Sequence, residues 1–366
     1  MLTLVFFIAI LYWIVLKPQG KNLVNRYITI CSFLFFAIIA FRSEAIYGDT
    51  YGYVYQFRHL SKMSLTHVLE IFDKDRFFWV ISYYISVIFN GNYTLWLAII
   101  ALVIILPLVK LIRTYSLEPM YSFVILVYLG LVFFFMAGLR QTVAIAFVLI
   151  GALALLDNNR STKNRIILYS LCVLIAYLFH GSSFIAISAL LFINRPLNRS
   201  AIFFYCLVLL CCLASGRYLM SNVIGYMGQF DTRYLGYAED MSGATYTYFF
   251  QQLVLILPSL IFLKKYRYKQ PIAMLFHFSI IGLILVALSP IIAEMFRLSY
   301  FFSWANMLLF TYTIREVRKY NKIYPIMFLL LFIMFTLFVS NADTYYFFFE
   351  DATHITSQFD TSEYLL

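Results

Sequence analysis

Charged residues are scarce: Asp, Glu, Lys and Arg make up 12% of the 366 residues, about half the share found in soluble domains. Set against 63% hydrophobic residues, that shortage excludes a water-soluble globule. Long polar stretches are missing too, so no soluble domain fits between the apolar runs. Those runs, of about 13 to 20 residues, recur along the whole length, the pattern of a helical protein that crosses a membrane many times. A cleavable leader is also lacking. Residues 2–16 have no basic residue before them and no small-residue cleavage site, so they read as a first span. Cysteine is sparse, and Cys31, Cys172, Cys206, Cys211 and Cys212 all fall inside apolar runs without metal-ligand spacing, as packing residues do. No phosphate-binding loop, dinucleotide fingerprint or serine-nucleophile elbow occurs, so neither a metal nor a cofactor is expected. The fold class left is all-α: one polytopic transmembrane bundle over residues 1–340, then an acidic external tail, partly disordered, over residues 341–366.

Twelve apolar runs lie near 2–16, 27–41, 94–112, 120–137, 139–156, 165–179, 182–194, 201–214, 246–263, 271–289, 296–313 and 323–340. If all of them cross and the N-terminus is outside, the cytoplasmic connections hold 18 of the 27 Lys and Arg residues and only three acids, Glu118, Asp157 and Glu316. This is the positive-inside pattern. The formal net charge of +10 is therefore an orientation signal, with some contact to membrane lipids, and does not point to nucleic acid. A further run at residues 77–89 would reverse every later loop if it crossed. At about 13 residues it is also short for a span. It reads as a re-entrant or interfacial helix that returns at Asn90-Gly91-Asn92.

Nine basic residues remain on the outer side, and seven of them are arginine: Arg42, Arg58, Arg76, Arg140, Arg217, Arg233 and Arg297. A guanidinium is a planar fork suited to phosphate, and it resists deprotonation. An anionic substrate such as a phosphate or pyrophosphate is the natural partner. A charge at membrane depth is costly and marks a functional site, which singles out Arg42, Arg140 and Arg297. Structural alternatives stand beside each: Arg42 snorkelling to the interface, and Arg297 pairing with Glu294 one turn earlier. Arg140 has a polar notch around it, from Gly138 and Gln141. Gly48-Asp49-Thr50 is a turn and helix-cap signal that leads into the aromatics Tyr51, Tyr53, Tyr55 and Phe57. It forms the floor of a polar site. His180 precedes Gly181-Ser182-Ser183, where a helix N-terminus would offer amides to an anion. Asp49 and His180 are the two candidate general bases, with a helix cap and a structural hydrogen bond as their plainer roles. His59, His67, His277 and His354 are read as structural. The 215–245 loop carries Tyr218, Tyr226, Phe230, Tyr234 and Tyr237 with Arg217, Asp231 and Arg233, aromatic surface of a kind that suits sugar rings.

Four motifs, in this order, carry a resemblance. They are Arg42 followed by Gly48-Asp49-Thr50-x-x-Tyr53-x-x-x-Phe57; Gly138-Leu139-Arg140-Gln141; His180-Gly181-Ser182-Ser183-Phe184; and Arg297-x-x-Tyr300-Phe301. Over roughly residues 1–320 the chain resembles the EpsG family, a Wzy-like group of bacterial polysaccharide polymerases. One departure stands out. Where that family has an acidic residue and Pro-Gly before an aromatic run, this chain reads Lys74-Asp75-Arg76-Phe77.

The resemblance implies a GT-C-like membrane glycosyltransferase on the outer face of the bacterial cytoplasmic membrane. It would transfer a growing glycan from undecaprenyl pyrophosphate to a lipid-linked repeat unit, for capsule, exopolysaccharide or O-antigen. Asp49, His180 and Arg140 would be catalytic. Arg42, Tyr53, Gln141, Ser182, Ser183, Arg297 and Tyr300 would bind substrate. The partners implied are an undecaprenyl-pyrophosphate-linked oligosaccharide, membrane lipids and a chain-length regulator protein, with fixed guanidinium groups stabilising the leaving group in place of a metal. Two readings compete. A flippase of lipid-linked oligosaccharides should show internal repeats and midplane polar residues, and no convincing repeat is present. A sugar-modifying acyltransferase could also use outer His and Arg.

Overall fold

The computed structural model describes residues 2–16, 20–46, 48–228, 246–266, 268–292 and 294–339, and every regular element among them is a helix. In chain order α1 is Leu2–Leu16, α2 Lys21–Ala40, α3 Gly48–Leu60, α4 Leu65–Ile71, α5 Arg76–Ile88, α6 Tyr93–Tyr115, α7 Pro119–Tyr128, α8 Leu131–Ala137, α9 Leu139–Leu156 and α10 Thr162–Phe179. A 3-10 segment, Gly181–Phe192, comes next, and then helices Arg199–Gly228, Thr247–Ile261, Gln270–Ala287, Glu294–Ser303, Ala305–Tyr320 and Ile323–Val339. The acidic tail 341–366, with Phe230, Asp231, Arg233, Tyr234 and Tyr237, lies outside the described residues.

Among the described residues six helices are long and apolar enough to cross a membrane, or seven if the bent pair α7–α8 is one span. The reading of twelve crossings counts every apolar run, and several runs do not form a continuous long helix. The run at 182–194 becomes a 3-10 helix of 12 residues, whose rise of about 2.0 Å per residue carries it roughly 24 Å. The run at 296–313 is interrupted around Trp304. The run at 120–137 breaks at Gly130, where φ is +70° and the two halves are bent by 56°. Glycine takes that left-handed conformation without a Cβ clash. The run at 201–214 extends instead into a 30-residue helix.

Local signals explain the ends that matter. Asn92 caps α6 by accepting from the Leu95 amide at 3.2 Å, and Ser161 caps α10 through Asn164 at 3.3 Å, each satisfying an orphan donor of the first turn. Before α6 the chain turns at Asn90 and Gly91, both at positive φ, where the sequence predicts the return of residues 77–89. In place of a loop, Gly48-Asp49-Thr50 forms the first turn of α3 itself.

Burial separates an inner core from a lipid-facing rim. The windows in α9 and in Gln270–Ala287 are each 72% buried, against 28% for α10 and 17% for Arg199–Gly216. His277 is buried and bonds within the bundle, as its mid-run position predicts. Its Nδ1 accepts from the Tyr205 hydroxyl at 2.7 Å while Nε2 donates to the Arg195 carbonyl at 3.1 Å. At the end where α6 and Ala305–Tyr320 finish, Arg318 grips Glu118 with both Nη atoms, at 2.7 and 3.1 Å.

Candidate functional site

Asp75 is the centre of the site, and it carries none of the roles expected from the sequence. It occupies the position just before α5 with φ 52° and ψ 36°, a left-handed conformation in which Asp is one of the few tolerated side chains. Holding it there costs on the order of 1–3 kcal/mol, a kind of strain that clusters at functional sites. The carboxylate does not cap its own helix. It crosses to three partners instead: His180 Nδ1 at 3.1 Å, Arg140 Nη1 at 3.0 Å and the Gly181 amide at 3.3 Å. Burial alone would raise the Asp75 carboxyl. The His180 hydrogen bond and charge, Arg140 and the Gly181 amide outweigh it and hold the group below the usual carboxylate value.

Arg140 enters from the first turn of α9. Its Nε donates to the Tyr53 hydroxyl at 2.9 Å, and its guanidinium lies 5.6 Å from that ring's centroid. One guanidinium nitrogen, Nη2, has no protein partner among the described residues, and the side chain is 30% exposed, so part of the fork faces outward. Tyr53 is seated by Trp79 and Phe78, with ring centroids at 5.9 and 6.2 Å. Elements as far apart in sequence as α3, α5, α9 and the 180–192 segment thus meet at one carboxylate.

The sequence predicts a substrate anion at the Gly181 N-terminus, but Asp75 already occupies it. Ser182 and Ser183, expected to bind substrate, turn inward: their hydroxyl oxygens are buried and no described residue bonds them. His180 is 26% exposed, and with Nδ1 engaged its Nε2 is the ring nitrogen left for chemistry. Asp49 is exposed in the first turn of α3, within electrostatic reach of Tyr53 and Arg140, and no described residue hydrogen-bonds its carboxylate.

Arg42 departs most from expectation. It is wholly buried and donates to the carbonyls of Ile39 and Met136, the latter at 2.6 Å. Thr50 donates to the same Met136 oxygen at 3.0 Å. Met136 lies in the last turn of α8, where carbonyls lack an intrahelical partner. Arg42 therefore secures the α8–α9 junction beside Arg140 and neither snorkels nor faces a ligand. Tyr300 is similarly enclosed, 5% exposed, with Phe134 at 4.6 Å and Phe296 at 5.8 Å.

Gln141 contacts protein, not open space: its Nε2 donates to the Arg297 carbonyl at 2.7 Å. Arg297 itself is exposed, makes no ion pair with Glu294, and sits 5.9 Å from the Phe296 ring. Gln141 thereby fixes the backbone of one exposed arginine, beside the part-buried Arg140. Asp75 escapes a reading of the sequence because its partners are 65 and 105 residues away. Its signals are its place at the head of an aromatic helix and its position where the resembled family carries an acidic residue.

The parts set the chemistry open to the arrangement. A carboxylate-held imidazole can take a proton at Nε2, and a part-exposed guanidinium, Arg140, and an exposed one, Arg297, are each able to bind an anion. Among the described residues no cluster of His, Cys, Asp and Glu could hold a metal ion.

The chain belongs to the EpsG family, whose model matches residues 25–352. No curated protein and no solved structure matches it. Membership points to a glycosyltransferase-like polymerase of polysaccharide biosynthesis, and the long apolar helices fit a multi-pass membrane protein.

Proposed function

We propose that this EpsG-family chain is a GT-C-type polymerase that moves a growing glycan from undecaprenyl pyrophosphate to a lipid-linked repeat at the outer face of the bacterial cytoplasmic membrane. The acceptor hydroxyl attacks the anomeric carbon of the donor sugar. Its proton passes to His180 Nε2, the bond from that carbon to the phosphate oxygen breaks, and the electron pair leaves on the lipid diphosphate. Asp75 keeps the His180 proton on Nδ1 and so leaves Nε2 free to accept. Arg140 and Arg297 meet the charge that develops on the leaving group, the place where preorganised donors contribute most. Tyr53, Trp79 and Phe78 supply aromatic surface beside them for a sugar ring.

One observation carries this reading: a single carboxylate, Asp75, orients both the candidate base and the candidate oxyanion clamp, at 3.1 and 3.0 Å. Geometry favours His180 over Asp49 as base, because His180 is held in one orientation and Asp49 is not. Asp75, Arg140 and His180 also sit at helix ends, which argues against a carrier, whose polar site lies near the middle of the bilayer.

The test uses full-length protein in nanodiscs with a lipid-linked repeat as substrate. His180→Gln should abolish polymer and leave single repeats, while Asp49→Asn should keep at least half the activity. The reverse result would move the base to Asp49. Normal polymerisation by His180→Gln at equal protein level would end the proposal.

A further inference from the structure

At the other end of the bundle lies a cavity that the polymerase reaction does not use. α9 starts at the Arg140 cluster and runs 18 residues to Leu156, about 27 Å away. The adjoining Asp157 is in electrostatic reach of Tyr115, and Tyr115 lines this open cleft, of about 410 Å³. That volume is in the range of small-ligand sites. Three connections converge on it: the end of α6, the start of Gln270–Ala287 and the end of Ala305–Tyr320. All three belong to the basic connections that the positive-inside pattern assigns to the cytoplasmic side.

Its wall carries four cations, Lys265, Lys269, Arg315 and Lys319, against one acid, Glu316. A basic rim is ordinary at a cytoplasmic face, so what matters is how the charges are matched. Glu316 is used up within the protein. It accepts from Lys265 at 2.6 Å, from Lys319 at 2.9 Å and from the Tyr266 hydroxyl at 2.6 Å. Glu118, the nearby acid, is held by Arg318. Lys269 and Arg315 have no carboxylate partner among the described residues, yet both face the same concavity. Tyr266, buried between them, has the ammonium groups of Lys265 and Lys269 each 5.7 Å from its ring centroid. Tyr115 and Tyr312 add hydroxyl donors to the wall. Two cations without a carboxylate partner, beside a hydrogen-bonded group in which Lys265 and Lys319 share the one carboxylate of Glu316, have the composition of a phosphate receptor.

We propose that this cavity binds a phosphate-bearing anion through Lys269 and Arg315, with the Glu316–Lys265–Lys319–Tyr266 group holding the floor in shape. The phosphate could come from a lipid headgroup or from a soluble phosphate compound, and the experiment separates the two.

Full-length protein is placed in phosphatidylcholine nanodiscs, with or without phosphatidic acid as a minor lipid. Retained lipid is counted by native mass spectrometry. In phosphatidylcholine alone, inorganic pyrophosphate is titrated and the half-saturating concentration is read from the thermal shift. Each near-surface cation changes affinity for an anion on the order of five-fold, so Lys269→Gln/Arg315→Gln should weaken binding by about 30-fold. Lys269→Gln alone should give about five-fold if the double variant folds poorly. Lys322→Gln, at the same end but off the cavity wall, should change nothing. Retention of phosphatidic acid by wild type and Lys322→Gln, but not by the double variant, identifies a lipid headgroup. A matching loss confined to pyrophosphate identifies a soluble ligand. Neither substitution at the cavity touches the Arg140 cluster, so pyrophosphate bound there stays constant across the set. Equal binding by wild type and the double variant, or an equal loss in Lys322→Gln, overturns the proposal.

Discussion

Replacing Asp75 by Asn alters one atom and removes one charge, and its effects can be worked out from the contacts of that side chain. The Asn carbonyl can still accept from the Gly181 amide, now 3.3 Å from Oδ1. Its NH2 group, however, would face His180 Nδ1, where the Asp75 Oδ2 now sits at 3.1 Å. A donor there drives the imidazole proton onto Nε2, the tautomer that cannot accept a proton from a hydroxyl. In a Ser-His-Asp triad the same exchange lowers kcat about 10⁴-fold. His180 is 26% exposed, so water can let the ring escape the wrong tautomer, and we expect a loss of about 10²- to 10³-fold. That corresponds to roughly 3–4 kcal/mol of transition-state stabilisation. Stability should fall less. Removing one partner of a fully buried pair costs about 3–5 kcal/mol, but Arg140 is 30% exposed and water will solvate it, so about 1–2 kcal/mol is expected. The assay is single-turnover elongation of a lipid-linked repeat, resolved as a glycan ladder, with KM measured separately and the protein's melting recorded in parallel. The reasoning requires a large fall in kcat with KM little changed. Wild-type kcat in a folded Asp75→Asn protein would refute it, and a loss confined to folded yield would make Asp75 a structural residue only.

Arg42→Met should show the opposite balance. It removes charged donors from the Ile39 and Met136 carbonyls, worth about 1.5–3 kcal/mol per bond, so melting temperature and membrane yield should drop while the surviving protein keeps near-normal turnover. Arg297→Lys should leave melting unchanged, because that guanidinium has no ion pair among the described residues, and should lower elongation about 100- to 1000-fold; unchanged elongation would remove Arg297 from the proposed diphosphate clamp. The Asp75 carboxyl is depressed in the folded state, so its stabilising contribution is present above the ordinary carboxylate value of about 4 and is lost as pH falls through the lower folded value. Melting curves from neutral to acid pH should therefore converge for wild type and Asp75→Asn at the acid end, and parallel curves would contradict the assignment.

Much of this could be read from the chain. Apolar runs locate nearly every helix, because each must satisfy its backbone internally in lipid. The short element at 77–89 and its return at Asn90–Gly91 are dictated by length and turn chemistry. Arg140, His180 and Tyr53 do converge, since ionisable groups in apolar surroundings have few places to go. Other features were not legible, for physical reasons. Apolarity does not reveal where a run breaks: Gly130 divides one, and the 181–192 segment winds as a 3-10 helix. Charge does not reveal direction. Arg42 and Arg297 look alike in sequence, yet one is folded onto orphan carbonyls and the other is exposed. Asp75 sits between Lys74 and Arg76, which disguise it as a residue locally neutralised, while its real partners lie in α9 and after α10.

That separation matters while the protein is being made. Translation adds about 5–20 residues per second, so Asp75 leaves the ribosome roughly 5–20 s before His180, 105 residues behind it. For that interval the helix that begins at Arg76 carries a carboxylate with neither its imidazole nor its amide partner available. Arg140, 65 residues behind Asp75, is made first, so until the 180–192 segment follows the carboxylate has one of its three partners, and a poorly partnered carboxylate resists burial. The contacts of Asp75 with His180 and Gly181 can form only after that segment is made. Accessibility labelling of Lys74→Cys in stalled nascent chains would time their formation.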